Sequence, residues 1–88
     1  MPRSIHIDLY SRPGCHLCDE AKAVIEPLVN KYGIVLKVTD VDSEAKLRDA
    51  YGWDIPVVLI EGTEAFRHRV EPQALERKLK ELWNKSTS

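Results

Sequence analysis

Two cysteines occur in the chain, and they stand together as Cys15-His16-Leu17-Cys18. A disulfide between them closes a very short loop, restricts the unfolded chain little and is a poor staple. In a reducing cytosol a purely structural bridge does not persist either. The spacing therefore reads as chemistry: a thiolate that attacks a disulfide, and a second thiol near enough to displace the mixed disulfide so formed. Pro13-Gly14 places Cys15 at an exposed turn where a helix begins, and the free N–H groups and dipole of a helix N-terminus favour an anion. Cys15 is accordingly assigned the attacking role and Cys18 the resolving one. Arg12 and His16 bring positive charge to the same place, while Asp19 and Glu20 oppose the thiolate.

Other readings of the pair are weaker. Zinc in a structural site takes four ligands. His6, His16 and His68 are the available completions, and their spacing matches no zinc motif, so no metal site is assigned. Two core cysteines by coincidence are at odds with the turn just upstream. A second feature is Trp53-Asp54-Ile55-Pro56-Val57. A proline directly before a strand cannot donate to the ladder. On its own this is strand initiation; beside a cysteine pair, the Ile55–Pro56 bond becomes a candidate cis peptide. Trp53 stands either at the rim of the site or in packing.

These residues need elements to hold them. Ile5, Ile7 and Leu9 alternate with polar residues, which predicts a strand over 4–10 with one buried face. Leu17, Ala21, Val24, Ile25, Leu28 and Val29 recur at helical spacing, predicting a helix over 15–32 stopped by Gly33. Pro27 inside it is expected to kink or shorten it. A strand follows over 34–41, then a short helix over 45–51 with Asp42 or Ser43 as cap and Gly52 as stop. Val57-Val58-Leu59-Ile60 is a continuous apolar run, as in a strand buried on both faces. Glu61-Gly62 turns the chain into a polar edge strand over 63–69. Pro72 opens a last helix at its first position, with Leu75, Leu79, Leu82 and Trp83 facing inward. The order is β-α-β-α-β-β-α, an α/β domain with the first two strands parallel, the last two a hairpin, and helices flanking a four-stranded mixed sheet.

Size and charge set the outer limits. The 88 residues allow one domain with one modest core, assigned to 1–83, and the small polar residues 84–88 read as a flexible C-terminal tail. A net charge of −1 offers no electrostatic reason for a nucleic-acid or membrane partner. His6 and Asp8 interrupt the first apolar residues, no stretch has signal-peptide character, and the expected location is the cytoplasm.

Tyr10-Ser11-Arg12-Pro13-Gly14-Cys15-His16-Leu17-Cys18 followed by Ile55-Pro56-Val57 resembles the glutaredoxin and thioredoxin superfamily, and most nearly small bacterial glutaredoxin-like proteins. The resemblance spans nearly the whole chain. It implies a thioredoxin fold, a cis Pro56 packed against the cysteine pair, and Ile55 offering its backbone N–H and C=O to a bound peptide or thiol. It also implies a monomeric thiol–disulfide oxidoreductase without a resident cofactor, acting on disulfides of proteins or small molecules. Its electrons would come from glutathione or from a thioredoxin-reductase-like enzyme. Arg12 stands where glutaredoxins often keep a basic residue that meets a glutathione carboxylate. The chain departs from glutathione-using relatives in two ways. His16-Leu17 replaces the usual Pro-Tyr, and Arg67-His68-Arg69-Val70-Glu71-Pro72 lacks their Gly-Gly pair. Both departures weigh against glutathione as co-substrate. Two other classes remain beside the redox reading: an iron–sulfur or metal-binding glutaredoxin relative, and a non-catalytic interaction module of the same fold.

Overall fold

The computed structural model describes residues 4–87. Strand β1 (Ile5–Ser11) leads through the cysteine turn into helix α1 (His16–Tyr32). Strand β2 (Ile34–Asp40), a 3-10 turn at Val41–Ser43 and helix α2 (Ala45–Tyr51) follow. Strands β3 (Val57–Ile60) and β4 (Thr63–Arg67) and helix α3 (Pro72–Thr87) complete the chain. The sheet order is β2-β1-β3-β4, with β1 parallel to β2 and antiparallel to β3. β3 and β4 form the expected hairpin around Glu61 (φ 52°) and Gly62 (φ 81°), a turn with both central residues left-handed.

The period-two pattern of β1 puts Ile5, Ile7 and Leu9 on one face, where they are buried with Ala21 and Ile25 of α1 and Leu75 and Leu79 of α3. Burying each of the isoleucine and leucine side chains in this layer contributes roughly 1.5–3 kcal/mol. The opposite face of β1 carries Tyr10, whose ring stacks on Tyr51 at the end of α2, with centroids 4.6 Å apart. α1 and α3 thus share one face of the sheet, and α2 meets the other. At the far end of α1, Lys31 Nζ and Tyr32 Oη both donate to Glu76 of α3, at 2.6 and 2.9 Å.

Several expectations are corrected. Pro27 does not shorten α1. The carbonyl it leaves without a helical partner belongs to Ala23, and both residues are exposed, so water can supply the missing bond. Leu17 is 37% exposed rather than inward, lining an open groove with Val24, Arg69 and Val70. Asp42 and Ser43 do not cap α2; Asp40 caps the 3-10 turn, and Glu44 stands at the head of α2 without a side-chain cap. β4 ends at Arg67 because His68 turns left-handed, with φ 68°. Helical backbone continues past Trp83 to Thr87, through most of the stretch read as a tail; Ser88 lies outside the described residues. Among the described residues, no helix is long and apolar enough to cross a membrane.

Candidate active site

The cysteine turn is built from its backbone outward. Gly14 adopts φ 80°, a conformation costly for any residue with a Cβ. This turns the chain so that the Cys15 N–H donates to the Arg12 carbonyl at 3.1 Å. Cys15 is the N-cap of α1, extended at φ −79° and ψ 111°, and its Sγ accepts the backbone N–H of Cys18 at 3.2 Å. A sulfur in the capping position is held by a donor that stabilises negative charge on it. Both thiols are free; Cys15 is half-buried, whereas Cys18 is 2% exposed. Burial pushes the Cys18 thiol up to about 12, and the hydrogen bond with the Cys15 sulfur acts in the same direction. The pair is therefore unequal: one sulfur reachable and capped by a donor, the other shielded and kept protonated.

The pairing of β1 with β3 sets Tyr10 opposite Val57, which brings the loop between α2 and β3 beside the end of β1 that leads into the cysteine turn. The Ile55–Pro56 peptide bond is cis and Pro56 is buried. The His68 N–H donates to the carbonyls of both Pro56 (2.8 Å) and Asp54 (3.1 Å), on either side of Ile55. Among the described residues, neither the N–H nor the C=O of Ile55 has a backbone partner, so both remain available for strand-like pairing. Arg67 fastens the same loop by pairing with Asp54 and, through two bonds of 2.6 and 2.7 Å, with Glu64. Trp53, just before the loop, is 92% exposed, so it is not a packing residue.

Arg12 interacts electrostatically with Cys15, but its guanidinium is engaged elsewhere. Its Nε and Nη2 donate to the two oxygens of Asp42 at 2.7 and 3.1 Å, and Nη1 donates to the Gly52 carbonyl at 3.5 Å. The guanidinium hydrogen bond holds the Asp42 carboxyl below the usual carboxylate range. Gly52 is helical at φ −57°, so it is not required for a left-handed stop. Its requirement is space: a Cβ there would lie 2.5 Å from the Arg48 carbonyl and 3.3 Å from Arg12 Nη2. His16 points away, 88% exposed with its Nε2 3.8 Å from Glu20. Among the described residues, no three of His, Cys, Asp and Glu gather as a metal-ligand group.

Sequence reasoning missed Asp42 as the partner of Arg12, Asp54 as the partner of Arg67, and the backbone role of His68. Each acts across the fold, so the local signal is faint. An acidic residue ahead of the Ile-Pro pair and an arginine at the end of the edge strand were the faint hints available.

The sheet order and the cysteine pair heading the first helix are those of the thioredoxin fold. Protein Ne2328 from Nitrosomonas europaea superposes with a TM-score of 0.73 at 26% identity, over 89% of this chain and 92% of that one. Target protein XcR50 from X. campestris gives 0.67 at 28% identity, over 85% and 96%. An oxidised thioredoxin from Plasmodium falciparum shares the fold alone, with a TM-score of 0.64 at 15% identity over 90% and 81%. The model of the Glutaredoxin-like domain (DUF836) matches residues 6–80, and the chain belongs to that family. A curated relative, the "Glutaredoxin-like protein YDR286C homolog" of Dictyostelium discoideum, is 33% identical over 79 residues, covering 83% of this chain and 73% of its own.

Proposed function

We propose that this chain is a thiol–disulfide oxidoreductase that reduces disulfides of polypeptides or small molecules. The observation that carries the reading is the Cys18 N–H held on Cys15 Sγ at 3.2 Å, with a shielded thiol behind it. The Cys15 thiolate attacks one substrate sulfur, the substrate S–S bond breaks, and the departing thiolate takes a proton from solvent. Cys18 then loses its proton and attacks Cys15 Sγ; the second substrate thiol leaves, and the Cys15–Cys18 bond forms. The substrate gains two electrons from the protein and two protons, one drawn from solvent and one given up by Cys18, as disulfide exchange requires. Glutathione or a thioredoxin-reductase-like enzyme would return them. Ile55 would pair with the substrate backbone, while Pro56 shapes the wall behind it. A monomer in a reducing compartment such as the cytoplasm suits this chemistry, and the two sulfurs need no resident cofactor.

The test is trapping. Cys18→Ser is expected to accumulate mixed disulfides with added protein disulfides, and Cys15→Ser is not. Turnover of hydroxyethyl disulfide with dithiothreitol as reductant should require Cys15. Acceleration over the protein-free reaction that survives Cys15→Ser would overturn the reading.

A further inference from the structure

A guanidinium has five N–H donors, and its side-on fork of Nε and one Nη is well matched to a carboxylate. In Arg12 that fork is filled by Asp42, and Nη1 is turned to the Gly52 carbonyl. Asp42 is itself fixed before it meets Arg12. Its N–H donates to Asp40 Oδ1 at 2.8 Å, and Ser43 Oγ donates to the Asp40 carbonyl at 2.7 Å, closing the 3-10 turn around it. Arg12 is also coupled to the attacking residue, since its carbonyl receives the Cys15 N–H. The protein's own carboxylate thus occupies the fork that an incoming anion would otherwise meet on Arg12, a cation that interacts electrostatically with Cys15.

We propose that Asp42 is a charge-selecting residue: by filling the Arg12 fork it sets the Cys15 site against anionic thiols and disulfides and in favour of neutral ones. The inference deepens the exchange reading and rests on it. Asp42 acts through Arg12 and is a positioning residue. An exposed pair of this kind contributes little to folding, so variants of it should remain folded. Freed from Asp42, Arg12 would present a cation offset only by Asp40 to an anion approaching Cys15. That would raise encounter with anions at low ionic strength.

The test compares alkylation of reduced Cys15 by iodoacetate, an anion, and by iodoacetamide, its neutral counterpart. The rate ratio cancels any general change in the thiol. Asp42→Asn is expected to raise the iodoacetate-to-iodoacetamide ratio about three- to tenfold at low salt. The gain should vanish when Arg12→Gln is added. Glu44→Gln removes the same charge nearby without an Arg12 contact and should raise the ratio less than about twofold. A gain that persists without Arg12, an equal gain in Glu44→Gln, or no gain would overturn the proposal. The same variants assayed on oxidised glutathione and hydroxyethyl disulfide report the exchange itself. If neither disulfide turns over, the exchange reading fails, and the alkylation ratio still judges Asp42.

Discussion

His68 donates its backbone N–H to the Pro56 carbonyl at 2.8 Å while standing at φ 68°, in the left-handed region. The Arg69 N–H closes back on the Arg67 carbonyl at 2.7 Å, making a three-residue turn with His68 at its centre. A positive φ at the centre of so tight a turn is the rare, strained form. The turn ends β4 and at the same time clamps the Ile55–Pro56 loop, so edge-strand geometry is carried directly to the segment that precedes β3.

His68→Gly should therefore stabilise the protein. The left-handed conformation costs an L-residue roughly 1–2 kcal/mol. Glycine gives part of that back through its larger unfolded-state entropy. The side chain's contact with Asp54, at 3.4 Å and 59% exposed on the histidine side, adds little. A net gain of about 0.5–1 kcal/mol in urea unfolding is the expected outcome. A loss would show that the side chain, not the backbone bond, holds the loop.

Cys18 should be nearly inert to alkylation near neutral pH while Cys15 reacts. Burial holds the Cys18 thiol up at about 12, against 9 for the unperturbed group. The same shift makes reduced-state stability fall on the alkaline side. Below pH 9 folded and unfolded chains both keep this proton. Above it the unfolded chain ionises first, and the contribution is lost as pH rises towards about 12. Denaturation from pH 8 upward should show a smaller alkaline loss in Cys18→Ala than in the wild type. Equal slopes, or equal labelling of both thiols, would refute the assignment of roles.

Gly52→Ala is expected to destabilise by about 1–3 kcal/mol, the range for forcing an atom into occupied space. The clash is with backbone, the Arg48 carbonyl at 2.5 Å, and cannot be relieved by a rotamer change. Thermal unfolding measures it. Because the displaced segment also carries the carbonyl that receives Arg12 Nη1, the Arg12–Asp42 pair should loosen with it.

What was legible in the sequence follows from how locally each feature is encoded. Ile5, Ile7 and Leu9 announce β1 because burial on one face imposes a period of two, and the same logic delivers α1, β3 and α3. The cysteine pair and the Ile55-Pro56 step are likewise written in adjacent residues. Asp42 was invisible because its partner lies 30 positions away, and only the parallel pairing of β1 with β2 brings the two strand ends side by side. Leu17 misled because helical periodicity extends into the first turn, where a groove takes the place of the core. The end of β4 was misplaced because residues 67–69 read as edge strand by composition, while His68 adopts a conformation that composition does not favour.

The last expectation is that glutathione binds weakly, and that the turn after β4 is one reason. The resemblance implies a Gly-Gly pair before the last helix in relatives that use it, and the stretch 67–72 of this chain holds no glycine. Here His68 adopts the left-handed conformation a glycine would take, but with a side chain attached. Val70, just beyond, is 6% exposed in the core and holds the segment in place, so the turn cannot easily withdraw. The tripeptide would lose backbone contacts, each worth roughly 0.5–1.5 kcal/mol net, and one or two such losses weaken affinity several-fold. Arg12, the compensating cation, is engaged by Asp42 at 2.7 and 3.1 Å. Titration followed by amide shifts should show no saturable change around Cys15, Ile55 and Arg69 at submillimolar glutathione. Replacing both His68 and Arg69 by glycine should strengthen binding several-fold, because it restores the bare backbone without touching the cysteines. Saturation of the wild type in that range, with fast deglutathionylation of a mixed-disulfide substrate, would show that the turn is no barrier.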